Sequence, residues 1–180
     1  VWIYSSSYGA YGKKDARSQG GCTGWLLTPA QNLTNVQSVT LSFQHALNYA
    51  DDMSTQQTLW VSTDYTGDIA AATWTQLTIP TYPTGTNWSF VSTTIDVPVS
   101  LVGANTVFGF KYISTATKFA SWEIQDLRLQ ASYAADADCS WMLAAPEVSR
   151  YNIVFDRLET EEGVDIVTIY NGPTVESGVD

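Results

Sequence analysis

Along most of this chain apolar residues recur at every second position. Val39, Leu41 and Phe43 alternate with Ser38, Thr40, Ser42 and Gln44. Successive side chains of an extended strand point to opposite faces, so the alternation predicts a strand with one buried face. Thr58-Leu59-Trp60-Val61-Ser62 is a second β-rich run, ended by Thr63-Asp64-Tyr65-Thr66-Gly67-Asp68. Trp74, Leu77 and Ile79 precede the loop Pro80-Thr81-Tyr82-Pro83-Thr84-Gly85. Phe90, Val91, Thr94, Ile95 and Val97 make another strand, and Val107, Phe108, Phe110, Tyr112 and Ile113 the next. Trp122, Ile124, Leu127 and Leu129 close the series. No long window carries the 3.6-residue period of an amphipathic helix; alanines predict only a short turn at residues 68–72. Short β-branched and aromatic runs separated by turn residues predict an all-β antiparallel sandwich. The N-terminal stretch with Tyr4, Tyr8, Tyr11, Gly9 and Gly12 reads as extended and rich in turns.

Charge divides the chain. Residues 1–133 hold eight acids and six bases, whereas residues 134–180 hold ten acids and two bases. That shift predicts a complete sandwich over residues 1–132, a small acidic linker over 133–138 and a second module over 139–180. In the second module strand signals resume at Trp141-Met142-Leu143, at residues 151–155 and at residues 166–170, before the turn Asn171-Gly172-Pro173.

The net charge of −10 argues against a nucleic-acid partner, which needs clustered Lys and Arg. Charged residues make only 14% of the chain, so neutral hydrogen-bonding side chains dominate its surface. No run of 18 apolar residues exists, and no membrane span is expected. The opening Val1-Trp2 reads as a processed or trimmed end. Cys22 and Cys139 fall in different modules, paired or free.

Five segments of the first module carry a resemblance. They are Cys22-Thr23-Gly24-Trp25-Leu26-Leu27-Thr28-Pro29-Ala30, Leu41-Ser42-Phe43-Gln44-His45-Ala46, Trp60-Val61-Ser62-Thr63-Asp64-Tyr65-Thr66-Gly67 with Ala72-Thr73-Trp74-Thr75-Gln76-Leu77, Phe108-Gly109-Phe110-Lys111-Tyr112, and Ser121-Trp122-Glu123-Ile124-Gln125-Asp126-Leu127. In order, across residues 2–130, they resemble the choice-of-anchor J family, jelly-roll modules related to cleaved-adhesin and MAM-type domains of Bacteroidota surface proteins. The stretch Cys139-Ser140-Trp141, Ala145-Pro146, Ile153-Val154-Phe155, Leu158, Glu161, Asp165 and Ile169-Tyr170-Asn171-Gly172 resembles the middle of a CUB domain. The resemblances imply a jelly-roll β-sandwich followed by a partial CUB-like β-sandwich. They also imply an extracellular or cell-surface setting, and calcium ligation by Glu161 and Asp165.

Candidate chemistry is sparse. His45 is the one histidine and shares a strand face with Leu41, Phe43 and Leu47, which predicts a hydrogen-bonded core or rim residue. No nucleophile elbow accompanies it. Glu123 and Asp126 are three apart, so a regular strand would point them to opposite faces and prevent a glycosidase pair. No enzyme activity is expected.

Asn48, Asp51 and Asp52 gather oxygen donors in one loop, and Asp64 and Asp68 in another. Calcium takes six to eight oxygens; the other reading is that Asp and Asn populate turns for backbone reasons. Trp25, Trp60, Trp74 and Trp122 lie in strand runs and read as core. Tyr65, Tyr82 and Trp88 lie in loops or at strand ends, where rings stack on sugar faces or pack beneath the loop.

The expected function is a non-catalytic secreted or cell-surface binding and adhesion module, with an extracellular glycan or protein as ligand. Two alternatives stand beside it. One is a structural subunit of an extracellular fibre or stalk that self-associates through exposed strand edges. The other is an accessory domain of a secreted hydrolase.

Overall fold

The computed structural model describes residues 2–4, 14–17, 21–133 and 166–169. The chain divides into two compact units, Val1–Ala137 and Asp138–Asp180. Within the first, the described residues form nine strands: β1 (Trp2–Tyr4), β2 (Lys14–Arg17), β3 (Cys22–Leu27), β4 (Val36–Asn48), β5 (Gln57–Ser62), β6 (Thr75–Leu77), β7 (Asn87–Val97), β8 (Val107–Ser114) and β9 (Ser121–Tyr133). They build a five-stranded sheet in the order β1-β2-β9-β4-β7 and a four-stranded sheet in the order β3-β8-β5-β6.

The pairing is nested. β5 pairs with β6, β4 with β7, β3 with β8 and β2 with β9, all antiparallel. Each successive pair falls in the alternate sheet, as when one long hairpin is wound around a barrel. That is the jelly-roll topology. It follows from the pairing itself and agrees with the all-β sandwich that the alternation predicts.

The two inner faces make the core. Val39, Leu41, Phe43 and Leu47 of β4 and Trp122 and Ile124 of β9 face Leu59 and Val61 of β5 and Phe108, Phe110 and Tyr112 of β8. Phe43 and Phe110 meet edge to face across the sheets at 5.1 Å, and Phe110 meets Trp122 at 5.9 Å. Edge-to-face contact sets the positive ring edge against the negative ring face.

Three local features depart from the sequence expectations. β1 and β2 add a hairpin at the sheet edge, with Lys14–Arg17 opposite Ile124–Ser121. A one-turn helix, α1 (Met53–Gln56), follows β4. β9 carries one extra residue: Gln44 pairs with Gln125 but Ser42 pairs with Arg128. Asp126, at φ 52°, absorbs that bulge in the left-handed region, which short polar residues tolerate better than most. Alternation therefore breaks between Glu123 and Asp126, and their separation by three no longer fixes opposite faces.

The expected turn at residues 68–72 is present, with the Ala72 N–H donating to the Asp68 carbonyl at 3.2 Å. The strand expected at residues 166–170 is not formed over 166–169. These residues join no ladder, and Ile166 is 86% exposed. Apolar β-branched residues make a strand only where a neighbour accepts their backbone hydrogen bonds. The other signals of the CUB-like stretch, Glu161 and Asp165 among them, lie outside the described residues, as does Cys139. Cys22 is a free thiol, its Sγ 3.3 Å from the Ser114 Oγ.

Candidate functional site: an aromatic face on the four-stranded sheet

Strand parity creates a second aromatic surface. Leu26, Leu59, Phe108 and Phe110 point into the sandwich, so their neighbours Trp25, Trp60 and Gly109 point out. Register aligns them. Trp25 sits opposite Lys111, Gly109 sits between Leu27 and Trp60, and Trp60 sits opposite Gln76. The Trp25 ring lies over Gly109, where a Cβ would come within 2.9 Å of the Trp25 Cε3 and 3.0 Å of the Leu27 Cδ2. Glycine here is the space that the indole occupies.

The rings run in a row across the outer face. Trp60 and Trp25 are 6.1 Å apart, Trp25 and Trp74 4.8 Å, and Trp74 and Tyr65 5.8 Å, all tilted. All four residues are half-buried. The Lys111 ammonium lies 5.4 Å from the Trp25 ring centre and 5.2 Å from that of Trp60. Both distances are within reach of a cation–π attraction.

Hydrogen bonds fix the row. The Trp60 indole donates to the Thr58 Oγ1 at 2.8 Å and the Trp74 indole to the Ile69 carbonyl at 3.1 Å. Asp64 organises the loop that carries Tyr65 and Trp74. Its Oδ1 accepts from the Ser62 Oγ and from the Thr73 N–H, both at 2.8 Å. The Ser62 hydroxyl first, and then Thr73, hold the Asp64 carboxyl below the usual carboxylate range. The Asn105 amide donates to the Tyr65 carbonyl at 2.9 Å.

Of the residues singled out in the sequence, Tyr65 belongs to this row. The Tyr82 hydroxyl donates to the Gln57 carbonyl at 2.7 Å, and its ring packs 5.7 Å from His45. Burial, then the charge of Asp52, push the Tyr82 hydroxyl up to about 12. Trp88, at the start of β7, is 40% exposed.

The oxygens of the loop after β4 go three ways. The Asn48 Oδ1 accepts from the Tyr49 N–H at 2.9 Å, and Asp51 pairs with Lys118 at 3.2 Å. Asp52 caps α1, its Oδ1 accepting from the Ser54 N–H at 3.2 Å and the Ser54 Oγ at 2.6 Å, and its Oδ2 from the Thr55 Oγ1 at 2.9 Å. The two side-chain hydroxyls, Ser54 first, lower the Asp52 pKa. Among the described residues no three of His, Cys, Asp or Glu group as metal ligands.

His45 is fully buried. Its Nε2 lies 2.9 Å from the Thr81 carbonyl, and its Nδ1 accepts from the Trp122 indole at 3.3 Å. A carbonyl only accepts and an indole N–H only donates, so the neutral ring carries its proton on Nε2. Both nitrogens are occupied, and neither faces a nucleophile.

No family model matches the chain, and no curated protein matches it. Among solved structures, the K3 cleaved adhesin domain of Lys-gingipain from Porphyromonas gingivalis is similar at 19% identity and a TM-score of 0.42, over 65% of this chain and 73% of its own. A CBM4 structure is similar at 12% identity and a TM-score of 0.37, over 68% and 86%. The CBM22-1 xylan-binding domain of Paenibacillus barcinonensis Xyn10C is similar at 13% identity and a TM-score of 0.35, over 74% and 87%. The class that the strand pairing and the outer face define is a jelly-roll sandwich bearing an external row of aromatic rings.

Proposed function

We propose that this chain is a non-catalytic, extracellular glycan-binding module, and that it holds its ligand on the outer face of the β3-β8-β5-β6 sheet. The observation that carries the reading is the row Trp60, Trp25, Trp74 and Tyr65. An aromatic ring offers a flat, apolar, electron-rich face, and the C–H face of a pyranose matches it. Side chains set in place by a sheet lose little rotamer freedom on binding. Gln76, exposed and opposite Trp60, supplies a polar group beside the rings by register. The one histidine lies in the core and takes no part in the face.

The test is a glycan array probed with the wild type and with Trp25→Ala, Trp60→Ala and Trp88→Ala. Thermal melts confirm that each variant is folded. The reading expects glycan binding that Trp25→Ala and Trp60→Ala abolish and Trp88→Ala keeps. An array with no bound glycan, or binding that only Trp88→Ala removes, overturns it.

A further inference from the structure

Lys111 is a charged group of the aromatic face, beside the Trp25 and Trp60 rings. It stands on β8, between Trp25 on one side and Thr58 on the other. The chain holds 18 acids against 8 bases, and Lys118, on the same sandwich, has found a carboxylate in Asp51. Lys111 has not: among the described residues its charged head is held by the Trp25 and Trp60 rings alone. Asp64 bonds to Ser62, which pairs with Val107 at the other end of β8. Val107 and Lys111 are four strand steps apart, roughly 13 Å along the backbone. Among the described residues, then, no carboxylate is paired with Lys111.

We propose that Lys111 makes the face selective for acidic polysaccharides whose carboxylate is carried directly on the sugar ring, the uronic acids. This rests on the glycan-binding reading above and adds to it the class of sugar. The geometry favours a ring-borne carboxylate. The ammonium lies 5.2 to 5.4 Å from two indole centres, close beside the surface on which a sugar would lie. A pyranose stacked on Trp25 or Trp60 carries a C5 carboxylate at its own rim, within reach of that ammonium. The rings in turn hold the lysine stem, so its charge is placed before the ligand arrives.

The experiment measures affinity for three uronate polymers (polygalacturonate, alginate and hyaluronate) and for each polymer after its carboxyl groups are reduced to alcohols. The proteins are the wild type, Lys111→Met and Lys111→Glu, with Trp60→Ala as the stacking control. Methionine keeps an apolar stem over the rings, and a thermal melt checks each fold. The wild type is expected to prefer at least one charged polymer over its reduced form by about two- to fivefold, as one exposed charge pair allows. Added salt narrows that preference. Lys111→Met removes the preference while retaining the reduced polymer, and Lys111→Glu reverses it. Equal binding of charged and reduced polymers by the wild type overturns the role of Lys111 and leaves the aromatic face standing, as does binding confined to the reduced polymers. Failure to bind any glycan overturns both.

Discussion

Trp122 donates its indole N–H to the Nδ1 of His45 across 3.3 Å, deep between the two sheets. The imidazole in turn donates from Nε2 to the Thr81 carbonyl at 2.9 Å. This relay ties β9 through β4 to the loop before β7, and it works only with a neutral ring, since an imidazolium has no lone pair for the indole.

Burial lowers the His45 pKa from 6.5, against a smaller opposite effect of the Thr81 bond. The unfolded chain takes up this proton near 6.5, whereas the folded chain takes it up only at lower pH. Between those values the unfolded state binds more protons, so stability falls as pH drops. The contribution of the neutral ring is complete above 6.5 and is lost progressively below it. Denaturant midpoints measured from pH 8 to pH 5 should decline for the wild type and stay nearly level for His45→Gln. Parallel declines in both proteins would assign the pH dependence to other groups. Asp52 and Asp64 do not interfere, because their pKa values are lowered from 3.8 and titrate below that window.

Trp122 supplies both a hydrogen-bond donor and core packing, and shortening it removes both. Trp122→Phe leaves Nδ1 of His45 buried and unpaired and also opens a cavity beside Phe110. The combined cost should be about 2–4 kcal/mol in chemical denaturation. A loss below about 1 kcal/mol would mean that the relay adds little to the sandwich.

Gly109 separates fold from face. In Gly109→Ala the new methyl meets the Trp25 ring at 2.9 Å, and it meets side chains rather than backbone. The indole must shift, so tryptophan emission should change and glycan affinity should fall, while the protein still melts cooperatively. Unchanged emission and affinity would show that the Trp25 position does not matter to the face.

Asp64 is a positioning residue for the same site. Asp64→Ala frees the Thr73 N–H and the Ser62 hydroxyl and loosens the loop that carries Tyr65 and Trp74. Glycan affinity should drop, and Asp64→Asn should recover part of it, since an amide oxygen still accepts both bonds. Equal loss in the two variants would point to the charge rather than to the hydrogen bonds.

The loop after β4 offers a direct test between a cap and a calcium site. Asp52→Ala removes the N-cap of α1 and should lower the melting temperature to the same extent with and without a chelator. A chelator-induced drop in the wild type that disappears in Asp52→Ala would instead establish calcium there.

The sandwich was legible because its inner faces alternate cleanly. Val39, Leu41 and Phe43 are buried at every second position, as are Phe108, Phe110 and Tyr112. His45 shares that face, which predicts a core or rim residue, and it is fully buried. The aromatic face was harder to see. Trp25 and Trp60 lie in strand runs, and tryptophan in a strand reads as core, as it is for Trp122. Yet each has an apolar neighbour, in Trp25-Leu26 and Leu59-Trp60, and two adjacent strand residues cannot share a face. With Leu26 and Leu59 inside, both indoles had to be outside. Gly109 between Phe108 and Phe110 was a further sign, a strand glycine at an outward position where something lies close. Other features left no such trace. The strand Lys14–Arg17 is mostly charged and forms because β9 offers it a ladder. The bulge at Asp126 depends on register with β4, which no local pattern encodes.

The central claim is that the outer face of the four-stranded sheet holds a glycan. Its most direct measurement is titration calorimetry of the strongest array ligand into the wild type and into Trp60→Ala. The account predicts that Trp60→Ala, folded and melting cooperatively, binds at least about tenfold more weakly, the effect of losing a tryptophan from the contact. Equal affinity in the two proteins would contradict it.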